Sequence, residues 1–494
     1  MAVGGGQMTG QALIILALLI PAIGVILIAL TSWQPNLRET TTLVTAVTLF
    51  GVVITIFGRV MDGEQLMTGA FQILPGLDLA FKVEPLGMLF ACVASGLWIV
   101  NSIYSIGYMR GNKEPRQTPF YMCFATAIAS TLGIAFSANL FTLFLFYEVL
   151  TLSTYPLVTH KGDDNAKAGG RIYLLILLGT SMVLLLPAII STFMIAGTLD
   201  FTPGGILAGK ADKITVTLLL ALFMFGIGKA ALMPFHRWLP AAMVAPTPVS
   251  ALLHAVAVVK AGVFTAMKVV VYIFGIELLT STGANEWLIW VAAFSLLAGS
   301  LVAMTKDNLK ARLAYSTVSQ LAYVVLGAAL ATGWGVIGGS MHIAMHAVGK
   351  ITLFFCAGAI YTAAHKTEVS ELTGLGKKMP FTFAAFLIGS LSIIGLPPFG
   401  GLWSKWYLVL GALDAGQILI VAVFMLSSLL NIAYLLPIPF KAFFGKAPGR
   451  QPNGIKEAPL PCLIAIGLTA LGCLILFFYP DPVLDLLMLM KMVR

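Results

Sequence analysis

Five lysines stand where lysine is expensive. Lys229, Lys260, Lys268, Lys350 and Lys405 each interrupt an apolar stretch long enough to lie at bilayer depth. A charge there costs several kcal/mol, with estimates from about 2.5 to above 10 kcal/mol. It persists only where the side chain faces protein, water or a counter-ion. Lys268 is near enough to the end of its stretch to snorkel to the interface; the other four are not. Lysine at that depth has a chemistry of its own, because a buried amine can give up its proton whereas a guanidinium cannot. Glu148, in Phe144-Leu-Phe-Tyr-Glu-Val-Leu-Thr-Leu-Ser-Thr-Tyr-Pro156, is read as the one carboxylate among 20 acidic residues to lie mid-stretch. A neutral, protonated glutamate is the bland reading; an ion pair or a proton-relay site is the functional one.

Histidines accompany the lysines. In Met341-His-Ile-Ala-Met-His-Ala-Val-Gly-Lys350, residues His342, His346 and Lys350 recur every four positions and share one helical face. A His-x-x-x-His pair can bind metal, but no third ligand is evident and a cation takes the next rung. A hydrogen-bonded proton wire suits the residues better, since imidazole donates at one nitrogen and accepts at the other. His254 precedes Lys260 by six residues, so those two are not stacked as i,i+4 partners.

Two of the lysines sit beside helix breaks. Lys229 lies in Phe225-Gly-Ile-Gly-Lys-Ala-Ala-Leu-Met-Pro-Phe-His-Arg-Trp-Leu-Pro240, and Lys405 follows Ile394-Gly-Leu-Pro-Pro-Phe-Gly-Gly401. Such clusters of proline and glycine cannot continue a regular helix. Irregular backbone at membrane depth is tolerated only where protein or a wet cavity satisfies it.

The elements carrying these residues are helices. Of the 494 residues 59% are hydrophobic and 10% charged, with a mean hydropathy of +0.96. Soluble domains carry about 25% charged residues, so the chain is read as an all-α polytopic membrane protein with about 14 transmembrane helices. The first two, about residues 11–31 and 40–60, read as packing helices. Alternating apolar residues around Pro75-Gly76, within residues 67–84, predict a short external β-hairpin. The five cysteines show no metal or iron–sulfur spacing, and the N-terminus lacks the basic region of a cleavable signal peptide.

The net charge of +9 follows topology and is no sign of nucleic acid. Connections after odd-numbered spans hold 18 of the 29 Lys and Arg residues, and those after even spans, with the tail, hold 6. The positive-inside rule then places both termini on the non-cytoplasmic side of a cell membrane. The broken spans, seven and twelve, lie five apart and therefore run in opposite directions. Paired interruptions of this kind predict two inverted five-helix repeats, spans 4–8 and 9–13, around an ion site at mid-depth. Residues 1–116 form the N-terminal helices and hairpin, 117–280 the first repeat, 281–440 the second, and 441–494 the last helix and tail.

With Glu148, the Lys229 stretch, Ala245-Pro-Thr-Pro-Val-Ser-Ala-Leu-Leu-His254 with Lys260, the His342–His346–Lys350 ladder, Lys306-Asp-Asn-Leu-Lys-Ala-Arg-Leu-Ala-Tyr-Ser316 and the Gly395–Lys405 break, nearly the whole chain resembles one family. This is the antiporter-like membrane subunits of the Mrp-type cation/proton antiporter, respiratory complex I and membrane-bound hydrogenases. The resemblance implies an ion pair between Glu148 and Lys229, Lys260 as the central lysine, and Lys405 beside the exit half-channel. His254, His342, His346 and Lys350 would extend the polar axis between them. Lysine at 405 excludes the branch with glutamate there, and the chain's end at Arg494 leaves no long lateral helix, which favours a subunit like Mrp D. The expected function is translocation of protons, with sodium as a possible coupled ion, without a cofactor of its own. Partners would be the other membrane subunits of a multisubunit antiporter or redox-driven complex. The rivals are an inert scaffold, a stand-alone antiporter, and a quinone-interacting oxidoreductase membrane subunit, for which no flavin, haem, iron–sulfur or nucleotide motif is found.

Overall fold

The computed structural model describes residues 8–446 and 456–490. Arg450, Lys491 and Arg494 of the charge distribution, and the extreme N-terminus, lie outside them. The chain opens with α1 (Gly10–Leu30) and α2 (Pro35–Met61), then a hairpin of β1 (Phe71–Leu74) and β2 (Leu77–Leu79). The strands pair antiparallel, Phe71 opposite Leu79 and Gln72 opposite Asp78, around the expected Pro75-Gly76 turn. Next come α3 (Pro85–Gly111), α4 (Gln117–Ala135), α5 (Leu140–Val158) and α6 (Asp164–Thr180), which continues through a π turn into α7 (Leu186–Ala196). Then α8 (Lys213–Gly226) runs into the first break, which holds the single turn α9 (Trp238–Ala241).

A long composite helix follows: α10 (Thr247–Ala251), a π turn at Leu252–Val256, α11 (Val258–Val269) and a second π turn at Val270–Phe274. After the short α12 (Ile276–Thr282) come α13 (Glu286–Thr305), α14 (Leu309–Ala329) and α15 (Gly333–Ala364). The second break separates α16 (Pro380–Ile394) from α17 (Gly401–Asp414). The chain closes with α18 (Ile418–Leu435), α19 (Pro437–Phe444), α20 (Leu460–Phe478) and α21 (Asp481–Met488).

Helix starts follow local chemistry. Asn139, Asp163, Asp212, Asn308 and Thr332 each accept a first-turn backbone N–H through the side chain, the capping that orphan amides require. Pro35, Pro85 and Pro380 instead occupy first-turn positions, where their missing N–H costs nothing. Arg38, read as a loop residue, lies in the first turn of α2 because Pro35 starts that helix early.

Among the described residues, 11 helices are long and apolar enough to cross a membrane. The other expected spans fall on α14 and on the two interrupted segments, α8–α9 and α16–α17. Burial sorts these helices. The apolar windows of α1, α2 and α20 are 33% buried, whereas that of the α10–α11 composite is 100% buried and that of α15 is 94%. The core of this membrane protein is therefore two helices wide, and those two carry His254, Lys260, His342, His346 and Lys350.

Candidate functional site

The first break is built to leave Lys229 inside. Helix α8 stops at Gly226, Ile227 leaves helical geometry, and Gly228–Ala230 form one 3-10 turn before Ala231 turns left-handed at φ +52°. The freed backbone is satisfied by protein. The Trp238 indole donates to the Gly228 carbonyl at 2.9 Å, and the Met233 N–H donates to the Ser295 hydroxyl at 3.2 Å. Lys229 is 0% exposed. Its ammonium donates to the Thr151 hydroxyl at 2.6 Å and the Tyr147 carbonyl at 2.8 Å, and lies 3.2 Å from the centre of the Tyr147 ring. All of these partners come from α5.

Glu148 is on that same helix, next to Tyr147 and three residues before Thr151, yet neither of its buried carboxylate oxygens has a hydrogen-bond partner. The ion pair implied for Glu148 and Lys229 is not closed here: the amine is drawn to a hydroxyl, a carbonyl and a ring face.

The two buried core helices meet at Lys260. It is 0% exposed, and its ammonium hydrogen-bonds His346 Nδ1 on α15. One turn back along α15, the His342 ring stacks on that of His346 with centroids 5.8 Å apart. His342 in turn reaches two other helices. Its Nδ1 is 2.8 Å from Ser404 Oγ on α17, and its Nε2 is 3.1 Å from Gln320 Oε1 on α14. Ser404 is the immediate neighbour of Lys405. The Lys405 ammonium donates to the Ile394 carbonyl, left free by the second break, at 2.9 Å and to the Ser428 hydroxyl at 3.2 Å. The Tyr323 ring bridges the same residues, 5.3 Å from the His342 ring and 4.8 Å from the Lys405 ammonium.

This end of the site can hold a proton in two ways. An amide oxygen only accepts, so His342 carries hydrogen on Nε2, facing Gln320. In neutral imidazole Nδ1 then accepts from the Ser404 hydroxyl. In imidazolium Nδ1–H donates to Ser404, whose hydroxyl turns to the Gly401 carbonyl, 3.2 Å away. Both protonation states are satisfied by rotating one hydroxyl.

Two expected members sit apart. The ladder on α15 forks at Lys350, which leaves the histidines and donates to Ser316 Oγ at 2.6 Å and the Leu313 carbonyl at 3.3 Å. Ser316 continues to the Tyr434 hydroxyl at 2.7 Å. His254, in the first π turn of the composite helix, is fully buried against the Phe354 ring at 4.5 Å, with neither nitrogen hydrogen-bonded. No side-chain bond spans Lys229 and Lys260, although their backbones touch: a Cβ at Gly262 would collide with the main chain of Lys229.

Thr151, Gln320, Ser316 and Ser404 were not singled out from the sequence, being hydroxyl and amide residues of the commonest kinds. Lys268 corrects an expectation. It does not snorkel but is 0% exposed, pairing with Glu84 at 3.2 Å, because the chain between α2 and α3 folds over the end of its helix. Among the described residues no group of three or more His, Cys, Asp or Glu is placed to hold a metal.

Comparison with known proteins meets this geometry. Residues 137–431, from the start of α5 almost to the end of α18, match the family described as NADH:quinone oxidoreductase/Mrp antiporter, transmembrane. NADH-quinone oxidoreductase subunit N of Desulforudis audaxviator is 33% identical over 390 residues, covering 78% of this chain and 77% of its own. Hydrogenase-4 component B of Escherichia coli is 33% identical over 346 residues, covering 67% and 50%. An Na(+)/H(+) antiporter subunit of Alkalihalophilus pseudofirmus is 30% identical over 440 residues, covering 82% and 53%. The chain thus spans about half the length of the last two. A chain of the Mrp complex from Dietzia sp. has the same fold, with a TM-score of 0.85 at 23% identity over 97% of this chain and 96% of that one. A chain of the archaeal membrane-bound sulfane sulfur reductase gives 0.84 at 24% identity, covering 96% of each. The match over most of the apolar helices, and a relative 33% identical over more than three quarters of both chains, place this chain in the NADH:quinone oxidoreductase/Mrp antiporter transmembrane family.

Proposed function

We propose that this chain is an ion-translocating subunit of a multisubunit cell-membrane complex, moving protons laterally along its buried axis. The observation that carries the reading is the run of contacts Lys260–His346–His342–Ser404, ending beside Lys405 and drawn from α11, α15 and α17. Every member except the serine can gain and lose a proton, and the serine rotates between its two partners. Protons are favoured over sodium as the moving ion because no cluster of carboxylates lines the axis. Both termini lie on the non-cytoplasmic side in this reading, and two inverted five-helix repeats put Lys229 and Lys405 at equivalent breaks.

Glu148 acts as the movable counter-charge of Lys229. It shares a helix face with Thr151, three residues on, so the ammonium has two seats on α5. At one it is neutralised by the carboxylate; at the other it is held by the hydroxyl and carbonyl seen here. Occupying the second seat leaves its charge unpaired in a low-dielectric interior, where desolvation favours release of the proton. Transfer onward reaches Lys260, then the histidines and Lys405. Partners follow from the relatives, which are subunits of NADH-quinone oxidoreductase, hydrogenase-4 and an Na(+)/H(+) antiporter by name.

The test is transport by Glu148→Ala, Lys229→Ala and Lys260→Ala introduced on the chromosome of the native host. Inverted vesicles are energised with respiratory substrate, with and without added sodium, and proton movement is followed by dye quenching. Each variant is expected to lose transport while the complex still assembles on native gels. Wild-type transport in the assembled variants would make the chain a scaffold.

A further inference from the structure

A cavity of about 750 Å³ opens at one end of the α10–α11 composite helix, lined by Glu64, Lys82, Glu84, Pro203, Tyr272 and Glu277 among others. It lies where the α2–α3 connection, the chain between α7 and α8 and the start of α12 converge. Charge distribution assigns this end to the outside. None of these residues belongs to the lateral axis.

From the cavity a row of charges steps inward. The Lys82 side chain is 30% exposed and 3.4 Å from Glu84; Glu84 is 5% exposed and 3.2 Å from Lys268; Lys268 is 0% exposed. The Lys268 ammonium also donates to the Ser137 carbonyl at 2.7 Å and lies 3.9 Å from the Phe201 ring centre. Glu277 and Tyr272 face the same cavity, and Glu64 is held at 3.6 Å by Arg59.

A structural clamp has a different look in this protein. At the opposite end of α2 and α3, Glu39 takes two hydrogen bonds from one guanidinium, that of Arg110. Glu84 stands between two amines, and neither of its oxygens receives a hydrogen bond of good geometry. The backbone marks the place as well, since Lys268 is followed at once by the π turn Val270–Phe274, as Lys260 is preceded by the π turn that carries His254. Single π turns recur at functional positions in helices. Lys260 and Lys268 are eight residues apart on α11, about 12 Å along its axis.

We infer that Glu84 and Lys268 form an ion-pair gate at the floor of a water-filled mouth, exchanging protons between the outer face and the helix that carries Lys260. The gate rests on the relay reading above and gives that relay an outlet in its first half, separate from the Lys405 end. The Lys268 ammonium gives one proton to the Glu84 carboxylate, leaving a neutral amine beside a neutral acid. The acid then releases that proton to cavity water, with Lys82 favouring the ionised carboxylate that remains. The amine is recharged by a proton arriving along α11 from the Lys260 side; uptake is the reverse sequence.

The decisive substitution is Lys268→Arg, in the native host and the vesicle assay above. Arginine keeps the charge and can keep the pair with Glu84, but it does not release a proton. The gate predicts at least a tenfold loss of transport in an assembled complex, with the same loss for Glu84→Gln and partial recovery for Glu84→Asp. A clamp predicts normal transport by Lys268→Arg, and transport within twofold of wild type overturns the gate. If the arginine variant fails to assemble, Ile276→Trp at the cavity wall decides, with at least a threefold loss expected and unchanged transport overturning the proposal. Lys260→Ala, run in parallel, separates the two readings. Its loss alongside normal Lys268→Arg sinks only the gate, whereas normal transport by Lys260→Ala sinks the relay.

Discussion

Ser404→Ala tests the relay at its least obvious member. The residue is fully buried, carries no charge and touches His342 at 2.8 Å. Its hydroxyl serves the imidazole as donor when neutral and as acceptor when protonated, turning in the second case to the Gly401 carbonyl. A hydrogen bond to a charged group contributes about 1.5–3 kcal/mol, and a neutral one about 0.5–1.5 kcal/mol. Removing the hydroxyl therefore penalises imidazolium over imidazole by about 1–1.5 kcal/mol, a five- to twelvefold drop in the protonated population. If His342 carries the proton, transport in energised vesicles falls by about that factor, while Ser404→Thr, which keeps the hydroxyl, stays near wild type. The complex should assemble, because one methyl-sized side chain replaces another of nearly equal volume. Transport by Ser404→Ala within twofold of wild type would refute the reasoning and reduce Ser404 to packing.

Other expectations follow from single contacts. Thr151→Val removes the 2.6 Å partner of the Lys229 ammonium, about 1.5–3 kcal/mol of charged hydrogen bond. It should shift the amine toward Glu148 and slow transport about tenfold or more without loss of assembly, as initial rates in vesicles will show. Lys405→Glu should keep partial transport if a titratable group is all that the position needs; complete loss in an assembled complex would show that a positive charge is required. Glu114, in the connection after α3, has its carboxyl raised above the usual 4.5 by burial, with Lys161 and Lys310 opposing. A raised folded-state value means that the native form holds its proton longer than the unfolded one, so its stabilisation is lost as pH rises. Glu114→Gln should therefore match wild type at about pH 4 and exceed it in thermal stability by about pH 7. An equal melting temperature across that range would discount the burial.

The sequence exposes those features whose cost is local. Lys229 and Lys405 stand out because glycine and proline break the helix around them, and both breaks are where they were expected. His342 and His346 stand out by spacing alone, and their rings do stack. What spacing cannot show is where a long side chain goes next: Lys350 shares the helix face yet turns to Ser316 on α14, and only the packing of α14 against α15 provides that partner. Lys268 fails for the complementary reason. Nearness to a helix end suggests snorkelling, but the chain from Glu64 to Glu84 closes over it, a contact between residues almost two hundred positions apart. Glu84 itself sits just before Pro85 at a helix start, where an acidic residue attracts no notice. Glu148 was legible as a mid-helix charge, whereas its unpaired state was not, since that depends on Thr151 and the Tyr147 carbonyl competing for one ammonium.

The close approach at Gly262 bears on how the two halves of the axis keep step. The turn that carries Lys229 rests directly on α11, backbone to backbone, at the one position of that helix where there is no side chain to hold it off. No rotamer change can absorb a movement there, because neither surface has a rotamer. If the turn shifts to swing Lys229 between its seats, α11 must slide or tilt with it, and Lys260, two residues along, is carried as on a cam follower. The gearing between the first lysine and the second is thus set by a missing carbon atom. Adding that carbon, as Gly262→Ala, would wedge the two apart and let each move without the other.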